Sequence, residues 1–349
     1  MATRVSSFAK INLGLAIGAV RLDGFHDLVT LYQTLAIHDV VSVAACPLEP
    51  GAKSQIRLTS DHPRVPTDDR NTVWQMVDRA LRAMGVSAEV EIGIEKRLPI
   101  QGGLGAGSAN AAAALFALER EMRGWPCGGD PATPRLGGAE RLRLAAEVGS
   151  YVPLFLLGGS VLGLGRGEEV VPLPDLLGGI PCVVAAPEVG VSTPAAFAEW
   201  DRLQRQAGLT PEALSGKLEK LSFTYASAFW LGSAKEGARS GIIPGQAGSD
   251  RSENHLLALV RAGIRNDFED IVFALHPTLR QVKQLLSGEG SGEPAILAAL
   301  SGSGSALFGL YGSERAARDA QQRVQGLGVP TFLTSTTSRL AYQKMSFQD

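Results

Sequence analysis

Apolar positions recur along this chain with two periods, and the switches between them predict its elements. Residues 5–20 read as extended chain and end at a turn over Asp23-Gly24. β-Branched runs at 29–35 and 40–44 predict two further strands. Val73, Trp74, Met76, Val77, Ala80, Leu81 and Met84 then recur at helical spacing behind Asn71, a residue type that caps helix N-termini. Residues 86–94 alternate like a strand, and Pro99 ends the element after it. A glycine-rich turn over 102–107 feeds the alanine-rich run 108–115, a strong helix former.

A loop rich in Gly, Pro and Cys covers 124–138, a helix follows over about 138–147, and the glycine spacing at 158–171 predicts a hairpin. The second half offers a strand at 182–186, helices near 194–205 and 254–286, strands near 294–300 and 305–311, a helix at 313–325 and a strand at 330–334. Residues 232–252, rich in Gly, Ser and Ala, read as a mobile loop. Strands and helices mix without strict alternation, which places the chain in the α+β class rather than among doubly wound sheets.

Composition narrows the function classes. With 45% hydrophobic residues the chain can bury a core, and 349 residues point to two domains. A formal net charge of −2 argues against a protein that coats nucleic acid or an acidic membrane. Cys46, Cys127 and Cys182 are odd in number and lack C-x-x-C spacing, as expected for reduced thiols in a cytoplasmic protein. The first twenty residues lack the apolar core of a signal peptide, and no apolar run approaches the roughly 18 residues of a membrane span.

The segment Pro99-Ile100-Gln101-Gly102-Gly103-Leu104-Gly105-Ala106-Gly107-Ser108 holds four glycines in six positions ahead of a helix. Such a bend can turn backbone N–H groups inward, and the helix N-terminus adds positive potential, so the pair suits phosphate oxygens. It is not a Walker A loop, because serine stands at 108 where lysine would be required. Nor is it the dinucleotide fingerprint, since the third glycine comes one residue early. Positive charge must come from elsewhere, with Lys10, Lys96 and Arg97 as candidates; a plain strand-to-helix turn is the alternative. A second turn, Ser301-Gly302-Ser303-Gly304-Ser305, reads alone as a hairpin connection, but two such turns can close over one ligand. Ala9-Lys10-Ile11-Asn12-Leu13 places a lysine in an apolar strand, either for function or as an edge-strand guard. Asp23-Gly24-Phe25-His26-Asp27 carries an aromatic face and a titratable ring on a turn.

Together these segments resemble the superfamily of galactokinase, homoserine kinase, mevalonate kinase and phosphomevalonate kinase. Within it the likeness is greatest to the 4-diphosphocytidyl-2-C-methyl-D-erythritol kinases. It runs in order through Ala9 to Leu13, Asp23 to His26 (with Phe25 where these kinases usually have Tyr), Pro99 to Asn110, Val191-Ser192-Thr193-Pro194-Ala195-Ala196-Phe197, Asn266-Asp267-Phe268-Glu269 and Leu300 to Ser305. The resemblance implies two α+β domains, over residues 1–165 and 166–349, with the active site in the cleft between them. It implies transfer of phosphate from ATP to the 2-hydroxyl of the cytidine-linked methylerythritol, in a monomer or homodimer that binds neither nucleic acid nor membrane. Pro99, Gly102, Gly103, Leu104, Gly105, Ala106, Gly107 and Ser108 would hold the triphosphate, with Ser108 a ligand to Mg²⁺. Asn71 and Lys96 would line the adenosine pocket, and Lys10 would stand at the γ-phosphate. Phe25 and Phe197 would sandwich the cytosine while His26 bonds its edge, and Asn12, Gly302, Ser303 and Gly304 would complete the substrate side. The same turns would also serve a kinase acting on homoserine or a mevalonate-type alcohol.

One position departs from the superfamily pattern. Where it has Gly-Ser/Ala-Asp-Val-Pro, with the aspartate as catalytic base, this chain reads Gly149-Ser150-Tyr151-Val152-Pro153. A phenol near pKa 10 is a poor proton acceptor at neutral pH, whereas a carboxylate of about 3.9 is ionised. Three outcomes are open: phosphoryl transfer without a strong base, a stand-in such as Glu147, or a weakened relative that only binds nucleotides.

Overall fold

A computed structural model describes residues 2–100, 102–123, 125, 136–175, 177–234 and 256–348. Two sheets organise them. The first is built on β1 (Thr3–Val20) and β2 (His26–Pro47), a long antiparallel ribbon. The two expected strands at 29–35 and 40–44 are parts of one strand. Asp39, the polar break between the two runs, is fully buried because Arg97 N, Leu98 N and the Lys96 ammonium all donate to its carboxylate. Register shifts flank Lys10 and Asn12, and bulges of this kind bend a strand and re-aim its side chains. β3 (Gln55–Ser60) runs parallel to β4 (Ala88–Glu95), giving the order β11-β1-β2-β4-β3, with the hairpin β5 (Ser160–Leu164) and β6 (Glu169–Pro172) on β2. β11 is the short segment Phe347–Gln348, which returns to pair with β1.

Helices α1 (Thr72–Met84), α2 (Ala106–Glu121), α3 (Gly138–Val148) and α4 (Val152–Leu157) follow in order. Asn71 does cap α1, accepting from Val73 N at 2.9 Å. Val73, Met76 and Val77 of α1 share a buried cluster with Val90 and Ile92 of β4. α2 buries Ala111, Ala112 and Ala114, small residues that let it lie close to its neighbours.

The second sheet has the order β10-β7-β9-β8, all antiparallel, from β7 (Pro181–Ala185), β8 (Leu297–Leu300), β9 (Leu307–Leu310) and β10 (Thr331–Ser335). Around it lie α5 (Thr193–Gln206), α6 (Pro211–Ala234), α7 (256–261), α8 (Phe268–Leu275), α9 (Pro277–Ser287), α10 (Glu314–Gln325) and α11 (Arg339–Ser346). The single helix expected over 254–286 is therefore three. Pro277 opens α9, and a residue before proline is pushed out of the helical region: His276 sits at φ −134°, ψ 78°. Of the loop expected at 232–252, residues 232–234 close α6 and the rest lie outside the described residues, as do Gln101, Cys127 and 126–135 of the 124–138 loop. Cys46 and Cys182 are free thiols. Ile11 and Leu13 of β1 share one buried cluster with Val184 of β7 and Phe308 of β9, so apolar burial fastens the two sheets together. Among the described residues no helix is long and apolar enough to cross a membrane.

Candidate active site

The first glycine turn is built so that its carbonyls are spent. Gly102 O accepts from Ala306 N at 2.9 Å and Leu104 O accepts from Lys10 N at 2.9 Å. Gly103 O accepts from the Lys10 ammonium at 2.5 Å and from the Ser301 hydroxyl at 3.1 Å. Gly105 O and Gly107 O are taken by Ala109 N and the Thr72 hydroxyl. What remains are the amides of Ala106, Gly107 and Ser108, which open α2 and have no intrahelical acceptor. Gly103 (φ +83°) and Gly105 (φ +74°) take left-handed conformations that other residues rarely adopt. Glycine is required here, and the bend presents donors.

The second turn abuts the first. A side chain on Gly103 would overlap the Ser301 carbonyl, and one on Gly304 would lie 2.8 Å from Gly102 C and Gly103 N. Asn266, buried at the entry to α8, holds this turn by donating to Leu300 O at 2.9 Å and Gly302 O at 2.8 Å. The two turns from opposite halves thus form one backbone unit.

Two cavities flank it. One of about 390 Å³ is lined by Asn71, Lys96, Pro99 and residues 102–108. The other, about 960 Å³, is lined by Lys10, Tyr151, Ser192, Thr193 and both glycine turns. Their volumes are those of small-molecule sites. Lys10 is 1% exposed and lies in an interior strand, which removes the edge-guard reading. Asn12, two residues on and therefore on the same strand face, accepts from the Lys10 ammonium at 2.5 Å and donates to the Thr30 hydroxyl. Burial without a carboxylate partner pulls the Lys10 pKa down to about 7.

The other candidate cations are engaged. Lys96 pairs with Asp39 at 2.5 Å, and Arg97 pairs with Glu95 at 3.2 Å. Asn71 also donates to Pro66 O, so its amide serves the loop before α1 while its residue lines the smaller cavity. Ser108 is half-buried at that cavity. Among the described residues no cluster of three His, Cys, Asp or Glu could hold a metal ion.

Tyr151 stands at the start of α4 with its ring centroid 5.2 Å from the Lys10 Nζ, and Tyr32 presents a second ring at 6.0 Å. Burial pushes both phenols up from their ordinary pKa, so neither is a base near neutrality. Glu147 is not a stand-in: it pairs with Arg79 at 3.1 Å and Arg143 at 2.6 Å on the outer face of α3.

The third group of candidate residues lies apart from both cavities. The His26 ring is stacked on Phe197, with centroids 4.6 Å apart and planes at 14°, and its Nε2 lies 2.8 Å from Asp201 Oδ1. Phe197 meets Phe268 edge-on at 4.9 Å. Phe25 is 52% exposed, with the Arg166 guanidinium 5.0 Å from its ring centroid.

Comparison with known proteins gives the chain's family. Residues 71–159 match the GHMP kinases N terminal domain, and residues 252–329 match the GHMP kinases C terminal domain. The 4-diphosphocytidyl-2-C-methyl-D-erythritol kinase of Solibacter usitatus is 34% identical over 348 residues, 97% of this chain and 90% of that protein. The chain belongs to this kinase family. The Rhodococcus jostii member is 32% identical over 322 residues, 92% of this chain and 88% of its own length. A crystal structure of 4-(cytidine 5'-diphospho)-2C-methyl-D-erythritol kinase shares the fold with a TM-score of 0.62 at 26% identity, covering 96% of this chain and 99% of that one. Homoserine kinase from Cytophaga hutchinsonii reaches the same TM-score at 22% identity over 97% and 95%, a likeness of fold.

Two groups near these candidates, Arg64 and Asp201, escaped the sequence reading, and Asn266 was read only as part of a matching segment, without its contacts. Arg64 is exposed, lines both cavities, and forms no ion pair with any described residue. Asp201 and Asn266 act through contacts 175 and 36 residues away, at His26 and at Gly302. Asp201 falls four residues after Phe197 on α5, and that helical spacing was the available signal.

Proposed function

We propose that this chain is an ATP-dependent kinase that phosphorylates the 2-hydroxyl of 4-diphosphocytidyl-2-C-methyl-D-erythritol, in the cytoplasm, for non-mevalonate isoprenoid biosynthesis. The observation that carries the proposal is the joined pair of glycine turns: their carbonyls are consumed, the residues that open α2 line the smaller cavity, and both turns line the larger cavity together with Lys10. In this reading the amides of Ala106, Gly107 and Ser108 hold the triphosphate. Adenosine lies toward Asn71 and Lys96. Mg²⁺ would arrive with the nucleotide, and the Ser108 hydroxyl would supply one oxygen to it; magnesium keeps several waters and phosphate oxygens, so few protein ligands are needed.

Phosphoryl transfer passes through a loose transition state, and a protein serves it mainly by positioning and charge. Lys10 is anchored by Asn12 and Gly103 and is placed to meet charge at the transferred group. Residues 166–349 bring Phe197 and the 302–304 turn to residues 1–165, which carry the phosphate loop, Phe25 and His26. Phe25 gives the pyrimidine an exposed aromatic face, worth on the order of 1–3 kcal/mol per base. The face of Phe197 is covered by the stacked His26 ring, so the expected second side of the sandwich is not open in this structure. Because His26 Nε2 is held by Asp201, its Nδ1 is left to read the cytosine edge.

Titrating the protein with MgATP and with the cytidine substrate while following ADP release tests this. ADP formed only when both are present supports it. Binding of both without ADP favours a nucleotide-binding relative, the second reading that Tyr151 motivates. A homoserine- or mevalonate-type kinase would leave Phe25, His26 and Phe197 unused and would not bind the cytidine compound.

A further inference from the structure

We propose that in this chain Lys10 itself accepts the proton of the attacking hydroxyl, a role that rests on the kinase reading above. Three features of the geometry lead there. First, Tyr151 occupies the place from which a carboxylate would reach the lysine, and its ring rather than an anion faces Nζ at 5.2 Å. Second, Lys10 Nζ has two protein acceptors, Asn12 Oδ1 and Gly103 O, both neutral and both at 2.5 Å. A neutral amine has two N–H bonds, which these acceptors satisfy, and one lone pair, which is left over. Third, Lys10 lines the larger cavity together with Tyr151, so the lone pair has a ligand-sized space to serve.

Among the described residues, the groups packed around Nζ include no carboxylate or imidazole that could take the proton instead. From β2 comes Tyr32, and from the start of α4 come Tyr151 and Phe155. The glycine turns contribute Gly103, Gly105, the Ser301 hydroxyl and Gly302, whose Cβ position is 3.6 Å from Nζ. Behind Tyr32, on the β5–β6 turn, Glu168 and Arg166 are paired with each other at 3.0 Å. Burial brings the lysine to about 7, where a buried amine is neutral in a useful fraction of molecules near neutrality.

The step balances simply. The hydroxyl oxygen bonds to the γ-phosphorus as its proton passes to the Lys10 lone pair. The bond from that phosphorus to the β-phosphate oxygen breaks, and its electron pair leaves with ADP. Lys10 becomes an ammonium beside the new phosphate, and thus a cation forms as the transferred charge arrives. The proton leaves to solvent with the products.

The pH–rate profile between about pH 5.5 and 9.5 reads this directly. For the unaltered protein kcat is expected to rise at least tenfold with increasing pH along one limb, whose midpoint lies above 7 because bound phosphates favour the ammonium. Tyr151→Phe should keep that midpoint, and Tyr151→Asp should flatten the profile by supplying a carboxylate acceptor. Lys10→Arg, which does not deprotonate in this range, should lose the limb. A profile that is flat or falls with pH, a limb that survives in Lys10→Arg, or one that vanishes in Tyr151→Phe would overturn the proposal. ADP from Tyr151→Asp but from the unaltered protein at no pH would overturn the base role alone. ADP from neither would overturn the kinase reading and the base role with it.

Discussion

The side-chain amide of Asn266 donates to the carbonyl oxygen of Gly302 at 2.8 Å, and the same nitrogen donates to Leu300. A single buried amide therefore sets the second glycine turn against the entry of α8. Asn266→Ala would leave those carbonyls without that donor, at a cost of about 1–3 kcal/mol. Thermal denaturation should show the loss, and ATP affinity should fall with it because the first turn leans on the second. An Asn266→Ala protein with full ATP affinity would show that the second turn holds its shape unaided.

Gly304 tests the contact between the turns without a backbone-strain argument. An added methyl would sit 2.8 Å from Gly102 C and Gly103 N, both backbone atoms that cannot swing aside. Gly304→Ala is expected to weaken ATP binding at least tenfold by calorimetry, about 1.4 kcal/mol. Gly290→Ala provides the comparison, since a methyl there meets nothing within 4 Å, although its φ of +82° carries backbone strain.

Lys10 gives a pH dependence of stability with a definite sign. Its folded value of about 7 lies below the ordinary 10.5, so between those limits the unfolded chain binds more protons than the folded one. Stability attributable to this group therefore rises with pH across that window, and below about 7 the folded protein bears the full cost of a buried ammonium. Lys10→Met should remove that slope. Chemical denaturation at pH 7 and 9.5 is expected to show the unaltered protein gaining on the variant by a few kcal/mol. Equal gains in both would contradict the burial argument.

Arg64 and Lys96 both line the smaller cavity, but their losses should look different. Lys96 is locked to the buried Asp39, so Lys96→Met strands a carboxylate and should cost about 3–5 kcal/mol of stability. Arg64 is exposed and unpaired among the described residues, so Arg64→Ala should leave the melting temperature nearly unchanged. Its effect is expected on the KM for ATP, about three- to tenfold and shrinking at high salt, as for a screened charge. Steady-state kinetics at two ionic strengths separates the two residues.

Tyr151→Asp restores an anion beside Lys10. Turnover should rise by about 10²-fold or more, the usual worth of a general base. No gain in a steady-state assay would show that position 151 has left the reaction altogether.

Local pattern carried much of this fold and the centre of its site. Asn71 and the spacing behind it specify α1, and the glycines at 102–107 followed by alanines specify the turn and α2. The missing aspartate at 151 is visible in sequence because the residues around it are not altered. What stayed hidden depends on contacts distant along the chain. Asp39 reads as a strand break until Lys96, 57 residues on, neutralises it. α6 is rich in Ser, Gly and Ala and weakly patterned. It is seated on β1 because Gly14 and Gly18 leave room for Tyr225 and Leu218, whose atoms would lie 2.9 and 2.5 Å from added methyls. The stacking of His26 on Phe197 joins residues on opposite halves, and nothing local to either announces it.

A crystal structure with a non-hydrolysable ATP analogue tests the central claim most directly. The expected result places β- and γ-phosphate oxygens on the amides of Ala106, Gly107 and Ser108, with the terminal phosphate beside Lys10. Phosphates bound elsewhere while those amides face only solvent would contradict it.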